Sequence, residues 1–562
     1  MNVLFEGYSY TSTLLDGLLP EAYIQQLPGG EAQVLHIGYI GPLPGVPESR
    51  AVVILPKVFL TEDDKALDGH APEELIGLSA KPKLREQLRQ SGGLEFLFTV
   101  SVWLYQAISH FARRNAKSDL IQESELHSVT NSGKAGHSAL ELVQSLLRFH
   151  REQQSLLTFV KRYNTNQQRN VSWSRTVTRQ IPLLNNGQPV YTQTITKQQY
   201  ANYDEELLRI FVSTLIHFKS EYGFRFEVNS LYEPLSKSEF KRFQQSPTRR
   251  LKQIRSRYFN DQLVRLWNLL FIYYEHAERQ RSQSSRQEKT LVRKFDTVFE
   301  DMVDSLLSDP ISSRLPERFK TQKDGKIVDH LYEADALIGS NDTIYHIGDS
   351  KYYKTGAKVG QHSVYKQHTY ARNLIFENIS RLNKGTLPRP LRYRDNLTEG
   401  YNPTPNFFIS AQVDAKLNFS NHNLTFNRPF PTSYHFPDRL FDRDTLFLQQ
   451  YDINFLYVLA AYVTPKAGEI ARFRATAHNA FRTRLIAHLN SQYAFFRVRP
   501  HTKSLEDFVS QYFRQLVGKM YRPSDFTDEV LIAVPRTEGS IHETALIQLL
   551  AGDAILTSWT PE

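Results

Sequence analysis

The sequence contains no cysteine and no long apolar run. The absence of cysteine from 562 residues excludes disulfides and cysteine-bound zinc, and it is typical of proteins in a reducing compartment. No apolar run approaches the length of a membrane span. The first residues also lack the basic start and the long apolar core of a secretory signal. We therefore expect a soluble, cytoplasmic protein that does not bind membranes.

Several motifs of nucleotide binding and hydrolysis are also missing. The Gly-Lys pairs at Gly133 and Gly518 lack the first glycine of a Walker A loop and the hydroxyl residue after the lysine, so the chain does not bind a nucleotide in that way. There is no His-Glu-x-x-His motif, no nucleophile elbow and no zinc-ligand spacing.

Length and charge set the broad class. A chain of 562 residues exceeds the size at which a single core stops growing, so we expect two to four domains. The formal net charge of +9 and the isoelectric point near 9.2 fit a surface that binds a polyanion. The excess supports nucleic acid as a partner without requiring it.

Apolar patterning divides the chain into three regions. Residues 1–80 form a β-rich N-terminal module, and residues 81–280 form a mainly helical region with an inserted hairpin. Residues 279–290 contain no apolar side chain and are typical of a linker. Residues 291–562 then form an α/β domain with a basic C-terminal extension. The predicted fold class is a multidomain α+β or α/β protein whose mixed sheet is flanked by helices.

Chemistry concentrates in residues 327–353, where acids interrupt apolar, β-branched runs. The pattern predicts two strands joined by a turn at 339–342. Side-chain alternation places Asp349 and Lys351 on one face. With the turn centred on Asn341, Asp335 lies opposite Ile347 and diagonal to Asp349, about 7–8 Å away. One metal ion can bridge two carboxylates at that distance.

A predicted helix stands on either side of this hairpin. Apolar residues recur at helical spacing over 291–308, with Glu300 at the edge of the stripe. The second helix covers 364–375 and carries Gln367 and Tyr370, which face the same way. These residues could orient a water molecule and a phosphate. The alternative is a surface hairpin whose Asp349 and Lys351 form an ordinary solvated charge pair.

The order of these elements resembles the PD-(D/E)xK nuclease superfamily. Ala334 stands where that motif has proline, and Gln367 and Tyr370 are three residues apart, where RecB-like members have them four apart. Two further phrases resemble restriction subunits. Gly38-Tyr-Ile followed by Ile54-Leu-Pro-Lys57 resembles the N-terminal module of McrC and LlaJI-type subunits, and Val171-x-Trp173-x-Arg175-Thr176 resembles a phrase in LlaJI-family proteins.

The resemblance implies the DNA-cleaving subunit of a bacterial anti-phage restriction system. Asp335 and Asp349 would bind Mg²⁺, with Mn²⁺ as a substitute, and Lys351 would position or activate water. Glu300, Gln367 and Tyr370 would support them. An McrB-like AAA+ GTPase would supply translocation, with the possibility of a higher-order assembly on its ring, and residues 1–280 would dock on it. A RecB-like exonuclease and a non-catalytic adaptor for such a motor are the alternatives.

Basic and aromatic residues outside this stretch leave two interpretations open. Trp173 and Arg175 could contact nucleic acid, or the tryptophan could pack in the core beside a strand-edge arginine. The same choice between a DNA-backbone contact and a solvated helix face applies to a group before the linker and a group near the C-terminus. They are Lys252, Arg255, Arg257, Arg265, Arg474, Arg482 and Arg484.

Overall fold

The fold was obtained as a computed structural model. It describes residues 2–15, 18, 24–26, 34–37, 41–43, 52–66, 69–115, 126–128, 139–153, 156, 159–165, 170–202, 205–222, 226–228, 231–282, 290–292, 295–310, 328–339, 341–385, 391–414, 416–429, 438–536 and 541–562.

The N-terminal region is built from short strands, as the β-branched runs predict. One sheet has the order β1-β6-β5, with β1 parallel to β6, and a second has the order β2-β4-β3. A 3-10 turn at Lys57–Phe59 follows β6. The elements are β1 (Asn2–Phe5), β2 (Ser9–Thr11), α1 (Ser12–Leu15), β3 (Ile24–Gln26), β4 (Val34–Ile37), β5 (Gly41–Leu43) and β6 (Val52–Leu55).

A mainly helical region comes next. Its long helix α3 is buried on two sides: Leu97 and Leu104 pack in one core, and Phe98 and Val102 pack in a second core made by the neighbouring helices. The elements are α2 (Pro82–Ser91), α3 (Gly93–Asn115), β7 (Leu126–Ser128), α4 (Ala139–Glu152), β8 (Phe159–Thr165), α5 (Trp173–Arg179), β9 (Leu183–Asn185), β10 (Gln188–Val190), β11 (Ile195–Ala201), α6 (Glu206–Tyr222), α7 (Lys237–Gln245), α8 (Pro247–Ile254) and α9 (Asp261–Ser282).

The largest sheet has five strands in the order β13-β14-β15-β17-β16. The first hairpin is antiparallel, and β14, β15 and β17 run parallel, which requires crossover connections. The elements are β12 (Thr290–Val292), α10 (Phe295–Leu307), β13 (His330–Asp335), β14 (Thr343–Lys351), α11 (Gln361–Asn383), β15 (Thr404–Gln412), β16 (Leu424–Pro429), β17 (Leu446–Asn454), α12 (Phe455–Val463) and α13 (Ala467–Gln492).

Each face of this sheet has its own helices. Tyr332 and Phe407 lie in a core with α10, α12 and α13, whereas Leu331 and Ile347 lie in a core with α11. The alternation of side chains along β13 and β14 separates these two sets. Asp349 and Lys351 therefore lie on the same face of β14 as Ile347, toward α11, whereas Gly348 and Ser350 lie on the face toward α10.

A second sheet of order β19-β20-β18-β21 follows. Leu337 and Ile338, from the loop after β13, are buried among residues of this sheet and of α13. The elements are β18 (Tyr493–Pro500), α14 (Leu505–Leu516), β19 (Met520–Tyr521), β20 (Val530–Pro535), α15 (Ile541–Ala551) and β21 (Ala554–Trp559).

The predicted fold class is confirmed: the protein is a mixed, multidomain α+β protein with a five-stranded mixed sheet. The helix predicted over 291–308 is α10, and its predicted apolar stripe is fully buried. The division at residues 80 and 280–291 stays a prediction, and residues 283–289 of the proposed linker lie outside the described part. One core nevertheless contains residues of β1, α3 and α10 together.

Two arginines of α13, Arg474 and Arg482, bind backbone carbonyls of the fold, while Arg484 is exposed, and the choice between a DNA-backbone contact and a solvated helix face stays a prediction. Arg474 donates to the backbone carbonyls of Ser305 and Leu306, both at 3.0 Å, and Arg482 donates to that of Ala336 at 3.1 Å. Arg474 thereby satisfies carbonyls in the last turn of α10, which have no partner within the helix.

No helix of the described chain combines the length and the hydropathy needed to cross a membrane.

Candidate active site

The register of the β13–β14 hairpin decides which acids meet. His330 pairs with Gly348 and Asp335 pairs with Thr343. Continuing this register one residue outward places Asp329 opposite Asp349. The backbone N–H of Ser350 donates to Oδ2 of Asp329 at 3.0 Å, which holds that carboxylate against β14. The acid beside Asp349 is therefore Asp329.

The predicted position of Asp335 is wrong. Asp335 lies exposed at the turn end of the hairpin, about 20 Å along the strand from Asp329 at roughly 3.3 Å per residue. The connection runs from Ala336 to Asp342 and is centred on Gly339, two residues before the predicted centre. Its apolar residues 336–338 are buried against other elements, so they belong to the loop rather than to an extended strand.

Asp349 and Lys351 share a face of β14, as predicted, and form an ion pair. Both side chains are buried, and Asp349 is only 1% exposed. The Lys351 ammonium also lies 5.3 Å from the centre of the Phe408 ring. Buried charges are retained when they are paired. The predicted alternative of an ordinary solvated charge pair is therefore wrong.

Three carboxyl groups influence one another here. Burial, with the carboxylates of Asp296 and Asp349, raises the pKa of Glu300 to about 7. Burial and the charges of Asp349 and Glu300 raise the pKa of Asp329 well above its usual range. Burial also opposes ionisation of Asp349, but its hydrogen bond with Asp329 and the charge of Lys351 lower its pKa. Like charges this close oppose one another's ionisation, and Asp329 is the acid of the pair whose ionisation is disfavoured.

Helix α11 covers the acids with a lysine that the sequence reasoning missed. Burial opposes charging of Lys366, but Tyr370 and the carboxylates of Asp329 and Asp349 raise its pKa. Its ammonium lies 5.4 Å from the centre of the Tyr370 ring. Lys366 stands four residues before Tyr370, which is the spacing that RecB-like members give to their glutamine. Helical neighbours at i and i+4 meet on one face, and that spacing is the signal that could have identified Lys366.

Gln367 and Tyr370, the predicted pair on this helix, are both fully buried. Within the described part of the chain, neither the amide nitrogen nor the amide oxygen of Gln367 has a hydrogen-bond partner. A buried amide without partners costs about 1–3 kcal/mol. A ligand that pairs with this amide would recover that free energy.

The other face of β14 holds the hairpin end in place. Nε2 of His330 lies 2.5 Å from Oγ of Ser350, and its Nδ1 lies 3.6 Å from Oδ1 of Asp304 on α10. Gly348 pairs with Phe407 of β15, and a Cβ at this glycine would clash with the Phe407 ring. That ring stacks on Phe481, with 4.6 Å between ring centres. The residues on both sides of Asp349 are thus fixed by packing.

Segments from the N-terminal region contact the chain just beyond Lys351. The ammonium of Lys354 forms an ion pair with Asp64, and the N–H of Thr355 donates to the carbonyl of Leu60 at 3.1 Å. These contacts join residues almost 300 positions apart in sequence. The end of β14 therefore depends on residues of the N-terminal region.

The donor set fits a hard divalent cation. The opposed carboxylates of Asp329 and Asp349 would hold such a cation, and the amide of Gln367 on α11 is a further polar group without a partner in the described chain. In the described part of the chain, no three histidine, aspartate or glutamate side chains form a group that could hold a metal ion by themselves. Mg²⁺ commonly uses one or two carboxylates and completes its shell with water and substrate phosphate. Two acids are therefore sufficient.

The segment around Trp173 differs from its prediction. Residues 173–179 form the short helix α5 rather than a strand, and Trp173 is 59% exposed, so the interpretation as a core tryptophan is wrong. The guanidinium of Arg175 stacks on the Tyr163 ring at 3.7 Å. In the next hairpin, β9–β10, Leu183 and Leu184 are 59% and 77% exposed. Isolated exposed leucines are ordinary, but a cluster of them marks an interaction surface.

These observations first define the class of the protein: a multidomain α+β protein whose mixed sheet brings two carboxylates and a lysine together in a buried site. Comparison with protein families then adds the identity. The family described as LlaJI restriction endonuclease matches residues 102–390, which is more than half of the chain, and the chain belongs to this family. The chain is thus a nuclease of a restriction system, and its substrate is DNA. No curated protein matches the chain.

Proposed function

We propose that this chain is a metal-dependent DNA endonuclease of the PD-(D/E)xK type, with Asp329 and Asp349 as the ligands of Mg²⁺. The observation that carries the proposal is the hairpin register, because it places these two carboxylates opposite each other beside Lys351. Asp329 takes the place that the sequence alone assigns to Asp335. The matched family region contains every residue of this proposed site.

Each side chain has a role that its position supports. When bound, Mg²⁺ supplies a Lewis acid for the phosphate and a more acidic water. To hold the cation, Asp329 and Asp349 would both have to be ionised, since carboxylate ligands must be deprotonated. Lys351 and Lys366 stabilise charge that develops on the phosphate oxygens. Glu300, with a pKa of about 7, exchanges a proton near neutral pH and supports the reaction as a base.

The experiment compares three substitutions that are identical in chemistry. Asp329→Asn and Asp349→Asn each remove one carboxylate charge with little change of shape, and both should abolish plasmid cleavage. Asp335→Asn makes the same change at the exposed end of the hairpin and should cut at the wild-type rate. The proposal fails if Asp335→Asn is the inactive protein or if Asp349→Asn still cuts normally.

We further propose that an McrB-like AAA+ GTPase works with this chain. The sequence contains no Walker A loop, so a motor must be a separate protein. Exposed apolar side chains on the β9–β10 hairpin, together with Ile181 at 90% exposure, supply a protein-binding surface within the region that the resemblance assigns to docking. Docking there would make the nuclease dependent on the motor, and several copies would assemble with its ring.

Point variants test this partner better than removal of residues 1–280 does, because truncation would uncover the core that β1 and α3 share with α10. Leu183→Ser/Leu184→Ser should abolish the stimulation of GTP hydrolysis in the AAA+ protein encoded beside this chain. The matched control is Leu549→Ser/Ile555→Ser, which changes two exposed apolar residues of the C-terminal region. If the isolated chain cuts DNA ends as fast as the mixture cuts plasmid, an exonuclease replaces this proposal. If the chain stimulates GTP hydrolysis but Asp349→Asn does not change DNA cutting, a non-catalytic adaptor replaces this proposal.

A further inference from the structure

Most of the net charge of the chain lies in one short helical segment. Residues 237–257 contain eight Lys or Arg residues and a single acid, Glu239. Their net charge is +7, compared with +9 for the whole chain. This segment forms α7 and α8, which are joined at Ser246, and a following turn.

The apolar residues of both helices face the same interior. Helix α7 buries Phe243, and α8 buries Leu251 and Ile254 in the core of the helical region. Because apolar side chains occupy the inward face, the basic side chains project outward. No large apolar side chain is exposed between residues 237 and 257, all of which are described.

Four of the eight cations already have partners in the fold. Arg250 and Arg257 both donate to Glu206, at 2.5 Å and 3.1 Å. The other two lie over aromatic rings: Lys252 is 5.5 Å from the Phe271 ring centre, and Arg255 is 5.3 Å from that of Trp267. These contacts tie Arg250, Lys252, Arg255 and Arg257 to the neighbouring helices α6 and α9.

The remaining four cations are Lys237, Lys241, Arg242 and Arg249, and all are exposed. They form the α7–α8 surface. The acid of the segment, Glu239, is engaged by the backbone and hydroxyl of Ser236, where it completes the capping box of α7. Among the described residues, Lys237, Lys241 and Arg249 have no acidic partner within ion-pair distance.

We propose that the α7–α8 surface binds the phosphate backbone of the substrate DNA, an inference that rests on the proposed function. Protein-binding surfaces are enriched in aromatic residues and depleted of lysine, and the α7–α8 surface has the opposite composition. Cations that neutralise phosphates gain free energy from the release of counterions. The helices that carry this surface pack in the core of the helical region, not in the core around the active site. The surface would therefore add affinity for DNA without contacting the bond that is cut.

The test measures DNA binding separately from DNA cutting. The full chain carrying Asp349→Asn is compared with the same chain carrying Lys237→Gln, Lys241→Gln, Arg242→Gln and Arg249→Gln as well. The readout is the fluorescence anisotropy of a duplex of about 30 base pairs over a series of salt concentrations. A matched control replaces four other exposed cations that lie on α2, α13, β18 and α14: Lys83, Arg472, Arg499 and Arg514.

The α7–α8 variant should bind at least about 10-fold more weakly, and the slope of log K against log salt should fall by about 0.9 for each phosphate that the variant no longer neutralises. The control variant should keep both values. Equal reductions of affinity in the two variants, or an unchanged slope in the α7–α8 variant, overturn the proposal. The proposal is also overturned if the α7–α8 variant binds DNA normally but no longer stimulates the AAA+ partner, because the surface would then bind protein.

Circular dichroism checks that the variants fold. The pair Lys237→Gln/Lys241→Gln gives the same test with fewer changes.

These outcomes are distinct from failure of the proposed function. If Asp349→Asn still cut DNA, the assigned active site would be wrong, but the weaker binding of the α7–α8 variant would still identify the DNA-binding surface. Conversely, an active site confirmed by Asp329→Asn and Asp349→Asn would remain if the α7–α8 variant bound DNA normally.

Discussion

The hydroxyl of Tyr352 donates a hydrogen bond to Oε2 of Glu6, with 2.6 Å between the two oxygens. Tyr352 follows Lys351 directly, and both partners of the bond are buried. The backbone N–H of Lys57 also donates to the Tyr352 hydroxyl, at 3.2 Å. Burial raises the pKa of Glu6. The end of β1 and the end of β14 thus meet in a polar contact within the core.

This contact should contribute measurably to stability. Tyr352→Phe removes the hydroxyl donor of the Glu6 carboxyl, which keeps only the backbone N–H of Lys57, and should lower the free energy of unfolding by about 1–3 kcal/mol. Thermal unfolding of the single variants and of the double variant with Glu6→Gln measures the coupling between the two residues. We expect a coupling of at least about 0.5 kcal/mol. Additive effects would show that the two side chains do not interact.

The raised pKa of Glu300 predicts that the metal-free protein loses stability against unfolding as the pH rises. The folded state keeps this proton up to a pH of about 7, whereas the unfolded state releases it near about 4.3. Its contribution to stability is therefore fully present below a pH of about 4.3 and disappears as the pH rises through about 7. In EDTA, the thermal midpoint of the wild type should fall more between about pH 5 and about pH 8 than that of Glu300→Gln. Parallel curves would contradict the assigned pKa.

Cleavage activity tests two of the candidate residues on α11, Lys366 and Gln367. Lys366→Gln removes a charge from beside the acids, and Gln367→Ala removes a buried donor. Each should reduce DNA cleavage by about 10- to 10³-fold, by analogy with removal of one transition-state donor. The matched control is Lys358→Gln, which neutralises an exposed lysine shortly before the same helix. An active Lys366→Gln protein would restrict the role of this lysine to structure.

Cleavage should require a divalent metal ion. EDTA should abolish it, and either Mg²⁺ or Mn²⁺ should restore it. Ca²⁺ should not restore it, because its looser and higher coordination aligns water poorly. The same titration monitored by thermal unfolding should show stabilisation of the wild type and a smaller effect on Asp349→Asn. Cutting that persists in excess EDTA would eliminate the metal from the proposal.

The sequence alone was sufficient where the structure depends on local periodicity. The apolar stripe of α10 and the shared face of Asp349 and Lys351 both follow from side-chain spacing. The partner of Asp349 depends on the hairpin register, and that register is set by burial of residues 336–338 against other elements, among them the C-terminal sheet. A tertiary contact of this kind leaves no signal in the hairpin itself.

Two other features also depend on distant parts of the chain. Lys366 becomes a candidate only once α11 is known to cover Asp329 and Asp349. The bond between Tyr352 and Glu6 joins residues 346 positions apart, and no pattern in either segment predicts it. Conversely, composition favours Trp173 as a core residue, but the short helix that carries it leaves it exposed.

A mutation at Gly348 should disrupt this site through packing alone. The strand has no side chain at this position, and the Phe407 ring fills the space that a Cβ would need. Because that ring also stacks on Phe481 of α13, even a methyl group would have to displace a packed aromatic pair. A screen for bacteria that no longer restrict foreign DNA should therefore recover Gly348→Ala alongside changes of the acids, although Gly348 has no side chain that could take part in the chemistry.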